Sequence, residues 1–206
     1  MPTTPDSVWL ADHYPALTGV RLNLRLDAKG NWPTEPANRG SNFDTALINH
    51  LRSQADVIVT GAKTALANRY APSKWAPIVV IGRSIAALNL PLFQDPDAMH
   101  QPMLWLADCQ TSAATDSRLL QIDQSVDLHT AVISQLHSLG YSRILLETGP
   151  TLSRLLEPAL DEICLTSDVN AQVAELLNSL TARTSQLMHE HQIDGQTFSR
   201  WSILTR

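Results

Sequence analysis

From residue 20 to residue 27 apolar and polar side chains alternate. Val20, Leu22, Leu24 and Leu26 share one face; Arg21, Asn23, Arg25 and Asp27 share the other. A period of two predicts a strand with one face on the core. Alternation alone fits a polar face that meets solvent and one that lines a cleft. Residues 55–60 and 77–82 are short apolar runs rich in Val and Ile, as strands covered on both faces require. Residues 103–107, 118–122 and 162–166 read as further strands. Helical periodicity appears over 41–54, with Ser41 or Asn42 as cap, and over 127–139, capped by Asp127 and ended by Gly140. Residues 171–180 are weakly helical. At the end, 185–193 and 197–205 flank Asp194-Gly195, a strong hairpin signal. Residues 1–18, rich in Pro, Thr and Asp, predict an irregular arm pinned by Trp9, Leu10 and Tyr14. Residues 28–40 and 85–101 carry the breakers Gly30, Pro33, Pro36, Pro91 and Pro96 and read as loops.

Strands alternating with helices argue an α/β fold with a mostly parallel sheet, and the closing hairpin makes it mixed. The 206 residues show no internal repeat and no linker, so one domain over 1–206 is expected.

The chain is organised around residues 143–156, R-I-L-L-E-T-G-P-T-L-S-R-L-L. Ile144, Leu145 and Leu146 predict a buried strand. Gly149 permits a sharp turn and close approach of a ligand, and Pro150 suits a first helical position. Thr148 and Thr151 are expected to satisfy donors at the helix start. Such a corner suits phosphate, and Glu147 sits at the strand's carboxyl end, where open α/β sheets place ligands. An ordinary strand–turn–helix fits this stretch too. Two other strands end in similar corners, Thr60-Gly61-Ala62-Lys63-Thr64 and Gly82-Arg83-Ser84. A dinucleotide needs several such corners side by side. Arg83 with Ser84 suits a phosphate monoester, which favours NADPH over NADH.

Composition narrows the classes. A formal net charge of −5 without a Lys/Arg run argues against nucleic acid. No apolar run is long enough for a bilayer, and the start M-P-T-T-P-D-S lacks a signal pattern, so a cytoplasmic protein is expected. Cys109 and Cys164 lie too far apart for a metal spacing, and Cys109 reads as a bystander thiol. His189 and His191 share one face of a strand without a third ligand, so no metal is expected.

The ordered stretches R-L-N-L-R-L-D, D-T-A-L-I-N-H-L-R-S-Q-A-D-V-I-V-T-G-A-K-T, Y-A-P, P-I-V-V-I-G-R-S, R-I-L-L-E-T-G-P-T-L and L-D-E-I-C-L-T resemble the pyrimidine-reductase family of riboflavin biosynthesis, as a stand-alone member. The resemblance implies a dihydrofolate-reductase-like three-layer fold, NADPH as cofactor and a homodimer. It implies reduction of 5-amino-6-(5-phosphoribosylamino)uracil. By position it implies cofactor contacts at Gly61, Thr64, Asn68, Arg83, Ser84, Gly149, Pro150, Thr151 and Leu152. It implies substrate contacts at Asn23, Arg52 and Glu147, with Asp27 and Glu147 as the catalytic pair. The family's S-x-D-G reads Arg25-Leu26-Asp27-Ala28 here, and its acidic run after the threonine reads Asn68-Arg69-Tyr70. Those departures leave two alternatives open: a reductase of the same fold for another small substrate, or a non-catalytic NADP-binding relative. The zinc-deaminase signatures H-x-E and P-C-x-x-C of the family's other half are absent from the sequence.

Overall fold

The computed structural model describes residues 5–27, 31–32, 41–107, 117–168 and 173–204. Cys109 and most of the loop expected over 28–40 lie outside them. Among the described residues the strands are β1 Gly19–Arg25, β2 Val57–Gly61, β3 Ile78–Gly82, β4 Met103–Leu106, β5 Leu119–Gln121, β6 Arg143–Leu146, β7 Glu162–Asp168, β8 Ser185–Ile193 and β9 Gln196–Ile203. They form one nine-stranded sheet in the order β5-β4-β3-β2-β6-β1-β7-β9-β8. β1 through β7 run parallel; β9 returns antiparallel to β7, and β8 antiparallel to β9. The mixed α/β architecture with a terminal hairpin is as expected. At its tip Asp194 and Gly195 both take positive φ, 51° and 75°, as a tight two-residue turn between twisted strands demands.

Helices cover both faces. One core joins Val20, Leu22 and Leu24 of β1, and Leu26 just after it, to Ala131, Val132 and Leu136 of α4 (Leu128–Ser138) and Leu156 of α5 (Pro150–Leu156). Leu177 and Leu180 of α6 (Val173–Leu180) belong to the same core. The other face carries Leu10 of α1 (Ser7–His13), Phe43, Leu47 and Leu51 of α2 (Asn42–Gln54), and Ala65 of α3 (Ala62–Ala67). Three layers result, a sheet between two sets of helices.

The N-terminal arm is a correction. Residues 7–13 are helical, not irregular: the Asp6 carboxylate accepts from Trp9 N–H at 2.8 Å and caps the helix. Seven residues are too short for a periodic pattern to stand out against Pro-rich flanks. Leu10 and Tyr14 are buried, so the pinning residues were legible. A second correction concerns α5. Gly149 is its N-cap and no side chain caps it; the Thr148 hydroxyl instead pairs with the Ser153 hydroxyl at 2.6 Å. The loop expected over 85–101 contains two 3₁₀ turns, Ile85–Asn89 and Pro91–Phe93. Ser41 caps α2 by accepting from Asp44 N–H.

The polar face of β1 meets neither bulk solvent nor a uniform cleft. It points towards α2. At its lower end Arg21 is buried and donates to Glu162 at 2.6 Å and to the Pro15 carbonyl at 2.7 Å. Arg200 donates to the second oxygen of Glu162 at 3.0 Å. At its upper end Asn23 and Arg25 open into a cavity.

Candidate active site

The three strand-end corners converge. The first residues of α3 (Ala62, Lys63, Thr64), Gly82 at the end of β3 with Arg83 after it, and the run from Glu147 to Leu152 line one cavity of about 1000 Å³. Parallel strand order makes this happen: β3, β2 and β6 are neighbours and end at the same rim. The corners also touch. A Cβ on Gly149 would lie 3.0 Å from the Thr64 hydroxyl oxygen, so the Thr64 side chain would have to give by a few tenths of an ångström. One on Gly61 would meet Leu152 at 3.5 Å, which is ordinary contact.

Of the expected cofactor contacts, Thr64, Asn68, Arg83, Gly149, Pro150, Thr151 and Leu152 line the cavity. Gly61 and Ser84 are not among its lining residues. The Ser84 hydroxyl accepts from Ala86 N–H at 3.2 Å and caps the first 3₁₀ turn. Gly61 ends β2 beneath the rim. The cradle suits a nucleotide: a side-chain-free corner at Gly149, a helix start without a side-chain cap, and the cations Lys63 and Arg83 on the wall.

The other half of the cavity holds the expected substrate residues. Arg52 and Glu147 meet: Nε and Nη2 of Arg52 donate to the two carboxylate oxygens at 2.7 and 2.6 Å. The Tyr70 hydroxyl donates to Oε2 of Glu147 at 2.6 Å, and the Arg52 guanidinium lies 5.3 Å from the Tyr70 ring centre. Burial works against the Arg52 charge, but the bonds to Glu147 and its charge outweigh burial and hold the pKa above the ordinary value. Burial, then the Glu147 charge, pushes the Tyr70 phenol well above its usual range. Asn23 lines the cavity. Asp27 does not: it follows β1, and one carboxylate oxygen accepts from Asn31 N–H at 2.8 Å.

Asp44, Ile48, Tyr70 and Thr166 line the cavity without having been expected there. Asp44, Ile48 and Arg52 fall at i, i+4 and i+8 of α2 and share one face, a spacing that was visible. Tyr70 lies in the Y-A-P stretch but had been given no role. Thr166 ends the apolar part of β7, and its hydroxyl donates to Asp44 Oδ1 at 3.2 Å. Burial raises the Asp44 pKa; the nearby Arg25 charge and the Thr166 bond pull the other way without cancelling it. Among the described residues no group of three or more His, Cys, Asp or Glu is placed to hold a metal ion. No helix among them is long and apolar enough to cross a membrane.

No family model matches the chain, and no curated protein matches its sequence. Solved structures do match its fold. A pyrimidine reductase-like protein from Corynebacterium diphtheriae superposes with a TM-score of 0.73 at 18% identity, over 96% of this chain and 99% of the other. RibD of Acinetobacter baumannii gives 0.65 at 15%, over 96% of this chain; the chain spans 61% of that protein. Dihydrofolate reductase from Enterococcus faecalis, complexed with NADP(H), gives 0.50 at 10%, over 90% and 96%. The fold is therefore dihydrofolate-reductase-like, of the form found in RibD and pyrimidine-reductase-like proteins.

Proposed function

We propose that this protein is an NADPH-dependent reductase acting on 5-amino-6-(5-phosphoribosylamino)uracil. The observation that carries the reading is the meeting of three strand-end corners around one cavity of about 1000 Å³, with a glycine where the loops touch. The fold shared with a pyrimidine reductase-like protein and with an NADP(H)-bound reductase supports it.

Bound NADPH would supply the hydride taken up at C1′ of the opened ribose. The chain's own tasks are binding, orientation and exclusion of water. Arg83 and Lys63 neutralise phosphate charge. Asn23, Arg25 and Asp44 face the other half, where the pyrimidine lies. Arg52, locked to Glu147, presents its remaining edge as a fixed positive wall for the substrate phosphate, and Tyr70 holds Glu147 in place. No group in this half is required as a catalytic acid, because water can return the proton.

Purified protein, NADPH and the uracil substrate should show loss of the nicotinamide absorbance, and a flat trace with tight NADPH binding would reject the substrate. Arg83→Ala should weaken NADPH about tenfold and leave NADH nearly unchanged, because only the former carries the 2′-phosphate. Equal weakening of the two would remove Arg83 from that role. A second reading, reduction of a different small heterocycle, is favoured by one feature: Arg25 stands in the cavity where the resembling family carries serine.

A further inference from the structure

Two groups at the substrate end stand opposite each other without closing. Arg25, at the end of β1, and Asp44, in the first turn of α2, bring Nη1 and Oδ2 to 3.9 Å. Charge-assisted hydrogen bonds run about 2.7–2.9 Å, so this pair attracts without direct contact. Both line the cavity and both are partly exposed.

Among the described residues, the two acids that line the cavity differ in what they have left to accept. Both oxygens of Glu147 are taken, by Arg52 at 2.7 and 2.6 Å and by Tyr70 at 2.6 Å. Asp44 accepts from the Thr166 hydroxyl on Oδ1 at 3.2 Å, and its Oδ2 has Arg25 only at the longer distance. A carboxylate has about four acceptor sites. Burial raises the Asp44 pKa despite Arg25, as for an anion short of donors. The group is also held: Thr166 fixes one oxygen, and Ser41 caps the same helical turn.

We infer that Arg25 and Asp44 form a recognition subsite for a heterocyclic lactam edge, a ring carbonyl beside a ring N–H. In such an edge the oxygen and nitrogen lie roughly 2.3 Å apart, from standard C=O and C–N lengths. A guanidinium donates to the carbonyl and the neighbouring carboxylate accepts the N–H. Two like groups would leave one atom of that edge unpaired. The ligand class rests on the reductase reading above, whereas the donor–acceptor pair rests on this geometry alone. Arg25 and Asp44 act here in selecting the substrate, not in the chemical step.

The test is calorimetric titration with 5,6-diaminouracil and its 1,3-dimethyl analogue, each with and without NADP⁺. Methylation removes both ring N–H groups and keeps both carbonyls. Wild type should prefer the unmethylated ring by about tenfold or more, since a site built to accept an N–H is left unsatisfied by the methyl compound. Asp44→Asn should narrow that preference to less than about threefold. Arg25→Met should weaken both rings alike, because both keep the carbonyl. Thr166→Val, which removes only the hydroxyl that orients Asp44, should narrow the preference in the same direction and serves if Asp44→Asn does not fold. Equal binding of the two rings by wild type, an undiminished preference in both the Asp44 and Thr166 variants, or no binding of either ring overturns the subsite. Turnover of the full substrate without ring discrimination overturns the subsite and leaves the reductase standing. Ring discrimination in a protein that binds no NADP⁺ does the reverse.

Discussion

Arg52, Glu147 and Tyr70 illustrate what a single residue contributes here. The Glu147 side chain is 4% exposed, and its charge is compensated by Arg52, which grips both oxygens, with the Tyr70 hydroxyl adding a further donor. Taking one partner from a buried pair leaves an uncompensated charge in a poor solvent. Arg52→Met should therefore lower the unfolding free energy by about 3 kcal/mol, measured by urea denaturation at neutral pH. A loss under about 1 kcal/mol would mean that the Arg52–Glu147 contact is not formed in solution. Glu147→Gln should cost less, since the Arg52 side chain left behind is 22% exposed and can reach water. The resemblance implied substrate contacts at both, and Glu147 also stood out at a strand's end; the structure places both on one cavity. Their union was not legible, because 95 residues separate them and nothing local links a helix face to a strand terminus.

Among the elements, β1 shows how an entry point constrains a strand. Gly19 takes φ +137°, a conformation side chains rarely adopt, and a Cβ there would overlap the Asp161 carboxylate. That carboxylate accepts from Val20 N–H at 2.8 Å and ties the start of β1 to the residue before β7. Gly19→Ala should destabilise the fold by roughly 3 kcal/mol, from the strained φ together with the displaced carboxylate. Thermal melts check this, and an unchanged melting temperature would contradict it. Most elements could be read from the chain because their signals are local. The Ser41 cap, the apolar stripe of α2, the run 144–146 and the Asp194-Gly195 turn each lie within about a dozen residues. Helix α1 escaped because seven residues, about two turns, carry too little periodicity. The cap of α5 was misassigned because Thr148 had a better partner in Ser153 than in the helix start.

Seen whole, the molecule places the cavity rim and a histidine cluster on different parts of one sheet. His13 and Trp9 of α1 pack on His189 of β8, with ring centres 4.3 Å apart for His13–His189 and 5.5 Å for Trp9–His189. His191 lies 5.2 Å from Trp9 and 5.5 Å from Phe43 of α2. Burial, then His13, His191 and Arg200, lowers the His189 pKa from 6.5 to about 4. The sign follows directly. Below about pH 6.5 the unfolded chain takes up the proton and the folded one does not, so stability falls with pH until the folded pKa near 4 is reached. Denaturation midpoints between pH 7 and 4 should fall less steeply in His189→Gln than in wild type, and parallel slopes would remove His189 as the cause. The sequence showed His189 and His191 on one strand but not that α1 brings a third ring to them.

The sequence by itself determined the kinds and order of most elements and the three small or polar corners at strand ends. These depend on backbone geometry and on periodicities that repeat within a few residues. Tertiary structure alone decided which corners share a rim and which polar groups meet. Setting β6 between β1 and β2 brings Glu147 to Arg52 and Gly149 to Thr64. The packing of α2 across the polar face of β1 brings Asp44 to Arg25. Such pairings follow from strand order and register, which long-range burial selects and no short stretch of chain encodes.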